Sequence, residues 1–144
     1  MLDEQIIRNV ESHLKMYYFY DDEIAELERS LTMQVDNAQD VNSYIQSKNK
    51  ISQKVANKAI NNIIIKDKIE FYKKWKEIIK VVLEEYKETD KLKHDYMIYK
   101  FFRQYQIPKI EMLLYIKSTM QNTLRHTIIY RVALLAVQEK LIKL

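Results

Sequence analysis

Glycine and cysteine are absent from all 144 residues, and proline occurs once, as Pro108. Each absence removes a class of protein. Tight hairpins lean on glycine, or on Asn and Asp, for positive φ, so a multi-stranded antiparallel fold is not expected. Neither a P-loop nor a dinucleotide-binding turn can be written without glycine, which sets aside the phosphate-cradling α/β folds. Without cysteine there is no disulfide framework and no thiolate metal site. No apolar run approaches the roughly 18 residues that cross a bilayer. Residues 1–20 mix acidic, basic and apolar side chains, so no secretory signal is expected either. An all-α, cytoplasmic chain is the expectation left, of a length that suits one domain or a small domain with a helical appendage.

Charge is unevenly distributed. Residues 1–47 carry three Lys/Arg against ten Asp/Glu, residues 48–90 eleven against seven, and residues 91–144 ten against three. The formal total of +4 therefore hides an acidic front and a basic back. Phosphate neutralisation needs a local concentration of cations rather than a high global charge, so the back third points to nucleic acid.

Apolar spacing organises the chain. Ile7, Val10, Leu14, Tyr17, Ile24 and Leu31 form a heptad-like stripe, interrupted at Tyr20-Asp21-Asp22-Glu23. Asp21 or Asp22 is a suitable N-cap, which predicts two helices, about 2–18 and 22–34, with one long bent helix as the alternative. Residues 35–50 are polar, lack helical period and read as a linker. From Ile51 to Glu88 one long helix is expected, with Val55, Ala59, Ile63, Ile64, Tyr72, Trp75, Ile79, Val82 and Tyr86 on its apolar side. Thr89-Asp90 supplies a stop and the next cap. A further element spans 91–105, with Leu92, Tyr96, Tyr99 (or Ile98) and Phe102 on one face. Pro108 then opens a short helix, 108–117, because proline is tolerated in a first helical turn. Ser118-Thr119 offers a cap for a final helix running to the C-terminus. The expected architecture is thus N-terminal helices plus one long central helix over 1–88, and a helix–turn–helix region over 89–144.

In that region the short helix would position the pair, and the start of the last helix would enter the major groove. Gln121, Asn122, Thr123, Arg125 and His126 lie on its first turns, with Arg131 beyond. Gln, Asn and Arg match base edges in pairs, so Gln121, Asn122, Arg125 and His126 are expected to read bases. Lys109, Lys117 and Arg131 are expected to hold phosphates, with Thr123 able to do the same. Such motifs usually carry a glycine in the turn, and this one cannot. Ile128 to Val137 is apolar except for Tyr130 and Arg131, which makes the second half of the helix a core or dimer element.

Other clusters have plainer readings. His13, His94 and His126 lack partners at metal-ligand spacing. Asp21-Asp22-Glu23 is explained by a helix start, and Ser118 and Thr119 by capping. No catalytic residue, metal site or cofactor is expected, and the chain does not read as an enzyme. The Lys-rich face around Lys66, Lys68 and Lys73 alternates with acids and reads as solvated. The basic third could also serve to answer the acidic front.

The strings NVESHLKMYYFYDDEIAELERS, HDYMIYKFFRQY and IIYRVALLAVQEKLIKL, around a long central helix, resemble the RinA/ArpU/LtrC group of phage late-gene transcriptional regulators from Gram-positive hosts. The local match is best at Tyr130-Arg131-Val132 and Glu139-Lys140-Leu141. The resemblance implies a sigma region-4-like helix–turn–helix that binds promoter DNA, and contact with bacterial RNA polymerase. The chain departs from that group just after Arg131, where the group is basic and this chain reads Val132-Ala133-Leu134-Leu135-Ala136-Val137. Double-stranded DNA is then the expected partner. The other reading is a helical interaction module that modulates a transcription regulator without binding DNA. The heptad-like stripes fit a homodimer under either.

Overall fold

Asp3 starts the first helix: its carboxylate accepts the backbone N–H of Gln5 at 3.2 Å, satisfying one of the donors a helix N-terminus leaves open. The computed structural model describes residues 2–38 and 48–143, with side chains described at 2–31 and 55–143. These residues form six α-helices and no strand, so the chain is all-α. None of the described helices is long and apolar enough to cross a membrane.

Helix α1 (Glu4–Lys15) leads through a 3₁₀ turn (Tyr17–Phe19) into α2 (Tyr20–Ala38). The interruption expected near residue 20 is present, but α2 begins at Tyr20 rather than 22. Asp21, Asp22 and Glu23 therefore fill its first turn instead of capping it, where they still oppose the positive end of the helix dipole. Helix α3 (Lys48–Thr89) is the long central helix. Of the expected 35–50 linker, residues up to 38 belong to α2, those from 48 to α3, and 39–47 lie outside the described residues.

Asp90 caps α4 (Lys91–Met97), accepting from the Lys93 backbone N–H at 3.3 Å as its sequence position suggested. The expected single element over 91–105 is split. A π-helical turn (Ile98–Phe102) follows α4, closed by Arg103 N–H to Ile98 C=O at 2.9 Å, and it keeps both Phe101 and Phe102 buried. Helices α5 (Ile107–Leu114) and α6 (Ser118–Gln138) complete the chain.

The chain divides into two compact units, residues 20–73 and residues 1–19 with 74–144. This differs from a division at 88/89, because α1 and the rear of α3 go with the C-terminal helices. In the smaller unit Tyr20, Ile24 and Ile69 are buried, and the Tyr20 and Tyr72 rings lie 5.5 Å apart. Burial, then Tyr72, pushes the Tyr20 hydroxyl above its usual pKa.

In the larger unit α6 packs against α1, α4 and α5. Val10 and Leu14 from α1, Trp75, Ile79 and Val82 from α3, and Tyr96 and Phe101 meet Leu124, Ile128, Ile129, Val132 and Ala136 in its core. The apolar stretch of α6 after Ile128 is thus core, as a helix apolar nearly all round must be. Each Å² of apolar surface that this face removes from water contributes roughly 25 cal/mol of stabilisation. The His13 ring stacks on Trp75, with centroids 3.9 Å apart and planes 9° from parallel. Burial there lowers the His13 pKa to about 4.

Among the described residues, three adopt the left-handed conformation that glycine usually supplies: Gln104 (φ 56), Tyr115 (φ 58) and Lys140 (φ 60). Lys140 closes α6, with Leu141 N–H to Ala136 C=O at 2.8 Å and Lys140 N–H to Val137 C=O at 3.0 Å, the bonds of a Schellman cap. The expected run of helix to the C-terminus stops there. Each such residue costs about 1–2 kcal/mol that glycine would not.

Candidate nucleic-acid interface

Helix α5 begins where expected, with Pro108 in its first turn and Gln106 extended ahead of it. It ends three residues earlier than 117. Tyr115 turns left-handed there, and its N–H bonds the Glu111 C=O at 2.8 Å, the single bond of an αL cap. The three residues Tyr115-Ile116-Lys117 connect α5 to α6, so a tight turn forms in a chain without glycine. Tyr115 is 91% exposed, which leaves room for a side chain where glycine is usual.

Lys117, rather than Ser118 or Thr119, occupies the N-cap position of α6, and it makes no side-chain cap bond. Ser118 and Thr119 are the first two helical residues. Thr119 C=O accepts from the Thr123 hydroxyl at 3.2 Å, and Thr123 C=O from the Thr127 hydroxyl at 2.9 Å.

The expected base-reading residues separate into two groups. Asn122, Thr123 and His126 are exposed and, at spacings of one, three and four, share one face of α6 with Thr119. Lys109 and Lys117 are exposed near the starts of α5 and α6. Helix α6 contains no acidic residue, so no carboxylate of its own opposes a phosphate on this face.

Gln121 is only 2% exposed. Its side-chain NH₂ donates to Ile107 C=O at 3.1 Å and Ile116 C=O at 3.2 Å, tying α6 to the start of α5 and to the turn. A residue expected to read bases is instead a brace, because the tight turn leaves carbonyls that need a donor. Arg125 is turned inward, its guanidinium donating to the Glu11 carboxylate of α1. Beneath it, burial raises the Tyr96 hydroxyl to about pKa 12, with Arg125 opposing the shift. Arg131 donates to Glu85 of α3 at 3.0 Å. Both arginines are spent on acidic residues of their own unit. Part of the basic third therefore does answer acids elsewhere in the chain.

A second polar group went unnoticed in the sequence. The loop Arg103–Gln106 carries Tyr105, whose ring stacks on Tyr99 with centroids 5.7 Å apart. Lys109 Nζ stands 3.9 Å over the Tyr105 ring, and Arg103 donates to the Tyr105 hydroxyl at 3.4 Å. That bond, with Lys109 assisting, holds the hydroxyl below its usual pKa. Beside the loop lie two adjoining concavities that share Lys15 and Gln104 as walls. The available signals were the acid-free string Arg103-Gln104-Tyr105-Gln106, and Arg8 and Lys15 two helical turns apart within the acidic N-terminal region.

Among the described residues, no group of three or more His, Asp or Glu side chains is placed to hold a metal ion. Compared with known proteins, the chain matches no family model, no curated protein and no solved structure.

Proposed function

We propose that the protein is a DNA-binding transcriptional regulator that reads duplex DNA with the first three turns of α6. The observation that carries this reading is the acid-free exposed face of Asn122, Thr123 and His126, presented one three-residue turn after α5. That arrangement suits a helix–turn–helix, whose second helix enters the major groove by its N-terminal residues. Asn122 offers a donor–acceptor pair matched to adenine, His126 and Thr123 add shorter contacts, and Lys109 and Lys117 hold phosphates. Gln121, Arg125 and Arg131 support the helix rather than touch DNA. With the resemblance to the RinA/ArpU/LtrC regulators, the reading becomes activation of phage late genes in the bacterial cytoplasm, with host RNA polymerase as protein partner.

The test is fluorescence anisotropy with duplexes from phage late-promoter regions and random duplex, at two salt concentrations. Site preference that survives the higher salt is expected. Asn122→Ala should cost about 1–3 kcal/mol of discrimination at one base pair. Equally weak binding to every duplex, vanishing with salt, would overturn the proposal.

A second reading is favoured by the exposed Val55, Ile60, Ile63 and Ile64 on α3. Contiguous exposed apolar residues suit a protein partner, a second copy included. Under this reading the chain is a helical interaction module, and Asn122→Ala leaves its function intact.

A further inference from the structure

We propose that the groove beside the Arg103–Gln106 loop seats the phosphodiester backbone of the duplex that α6 reads, with Lys15 and Lys100 as its phosphate-holding cations. The inference rests on the DNA-binding reading and adds to it a second contact track, partly built from the acidic N-terminal region. Its basis is the lining. One concavity is walled by Arg8, Ser12 and Lys15 of α1 together with Gln104. The adjoining one is walled by Lys15, Lys100, Gln104, Tyr105, Gln106 and Pro108, and no carboxylate is among its lining residues.

The local charge balance is positive. Arg8 is matched by Glu4 at 2.9 Å and contributes little. Glu11 is the one carboxylate of the first concavity, and it faces two cations, Arg125 through one oxygen and Lys15 at 3.8 Å through the other. Lys100 stands in the second concavity with amide side chains around it. Gln104 and Gln106 present neutral donors, which suit phosphate oxygens without adding competing charge.

The ligand's shape follows from the two concavities meeting along shared walls. A small anion would occupy one of them, whereas a chain of phosphates passes from one to the next. The position also fits the proposed docking. The groove lies at the start of α5, and the first helix of such a pair crosses the DNA backbone while the second enters the groove. The left-handed Gln104 and the Tyr99–Tyr105 stack hold the loop in the shape that forms this wall.

The experiment compares duplex binding over a salt series for the full chain, Lys15→Gln/Lys100→Gln, and the control Lys66→Gln/Lys68→Gln on an exposed stretch of α3. Losing two phosphate contacts should lower the slope of log affinity against log salt by about 2, and reduce affinity roughly 30-fold at physiological salt. The control should change neither by as much as half of that. Lys100→Gln alone should lower the slope by about 1, and Lys100→Arg should restore it. Unchanged melting by circular dichroism confirms that the variants are folded. If the wild-type chain binds duplex and the double variant keeps its slope, the groove proposal is overturned while the α6 reading stands. If the wild-type chain binds no duplex, both fall.

Discussion

From Trp75 to Tyr86, α3 buries Trp75, Ile78, Ile79, Val82 and Tyr86, whereas from Val55 to Ile64 it leaves Val55, Ile60, Ile63 and Ile64 more than half exposed. Both stretches carry apolar residues at helical spacing, and both read alike in the sequence. The difference lies in what meets them. The rear stretch receives the His13 ring on Trp75 from α1, and Arg131 of α6 on Glu85. Such a face stabilises a fold only where another element removes it from water. An amphipathic period therefore defines a face and leaves its occupant unspecified.

The sharpest way to break this comparison is truncation on each side of it. Trp75→Ala should destabilise the larger unit by about 3–5 kcal/mol, through lost burial plus the cavity left behind. Ile63→Ala should change stability by no more than about 0.5 kcal/mol, as exposed sites do. Urea denaturation of both variants measures the contrast, and equal effects would place a partner on the front stretch.

Acid should loosen the rear stretch next. The His13 pKa lies at about 4 in the folded chain, below its ordinary value of 6.5. Between those pH values the unfolded chain binds a proton that the folded chain refuses. Stability is then full above about pH 6.5 and is lost as pH falls toward about 4. The loss by pH 5 should be about 1–2 kcal/mol, allowing for solvent screening of a part-exposed ring. His13→Phe should flatten the dependence of melting temperature on pH between 6.5 and 5. An unchanged slope would assign that dependence to other groups.

The smallest effect concerns chain ends rather than faces. Lys140→Gly removes a left-handed side chain while keeping the cap of α6, and should raise stability by about 0.5–1 kcal/mol. Thermal melting reads the gain, and a loss would show that the lysine contributes contacts worth more than its strain.

Much of the local structure was legible in the residues themselves. Composition excluded sheets and nucleotide loops, the apolar period located the long helix to within three residues at its start, and Pro108 and Asp90 marked helix starts correctly. These are local effects: hydrogen-bond capping, the fixed φ of proline and the side-chain period all act within a few residues. The missing glycine misled only mildly, since Tyr115 adopts the left-handed turn because its side chain has open solvent to enter.

The candidate site was legible by residue type and not by direction. Gln121, Asn122, Arg125 and His126 are all polar and adjacent, yet Asn122 and His126 face solvent while Gln121 and Arg125 turn inward. Nothing local distinguishes them. Ile107 and Ile116 carbonyls and the Glu11 carboxylate, the last 114 positions away, decide the matter. The sequence by itself determined an all-α chain, the helix starts at Asp90 and Pro108, and the polar, acid-free character of the first turns of the last helix. Only the tertiary structure decided which polar residues remain for a partner, because a buried donor or charge must find its acceptor wherever the packed helices bring one.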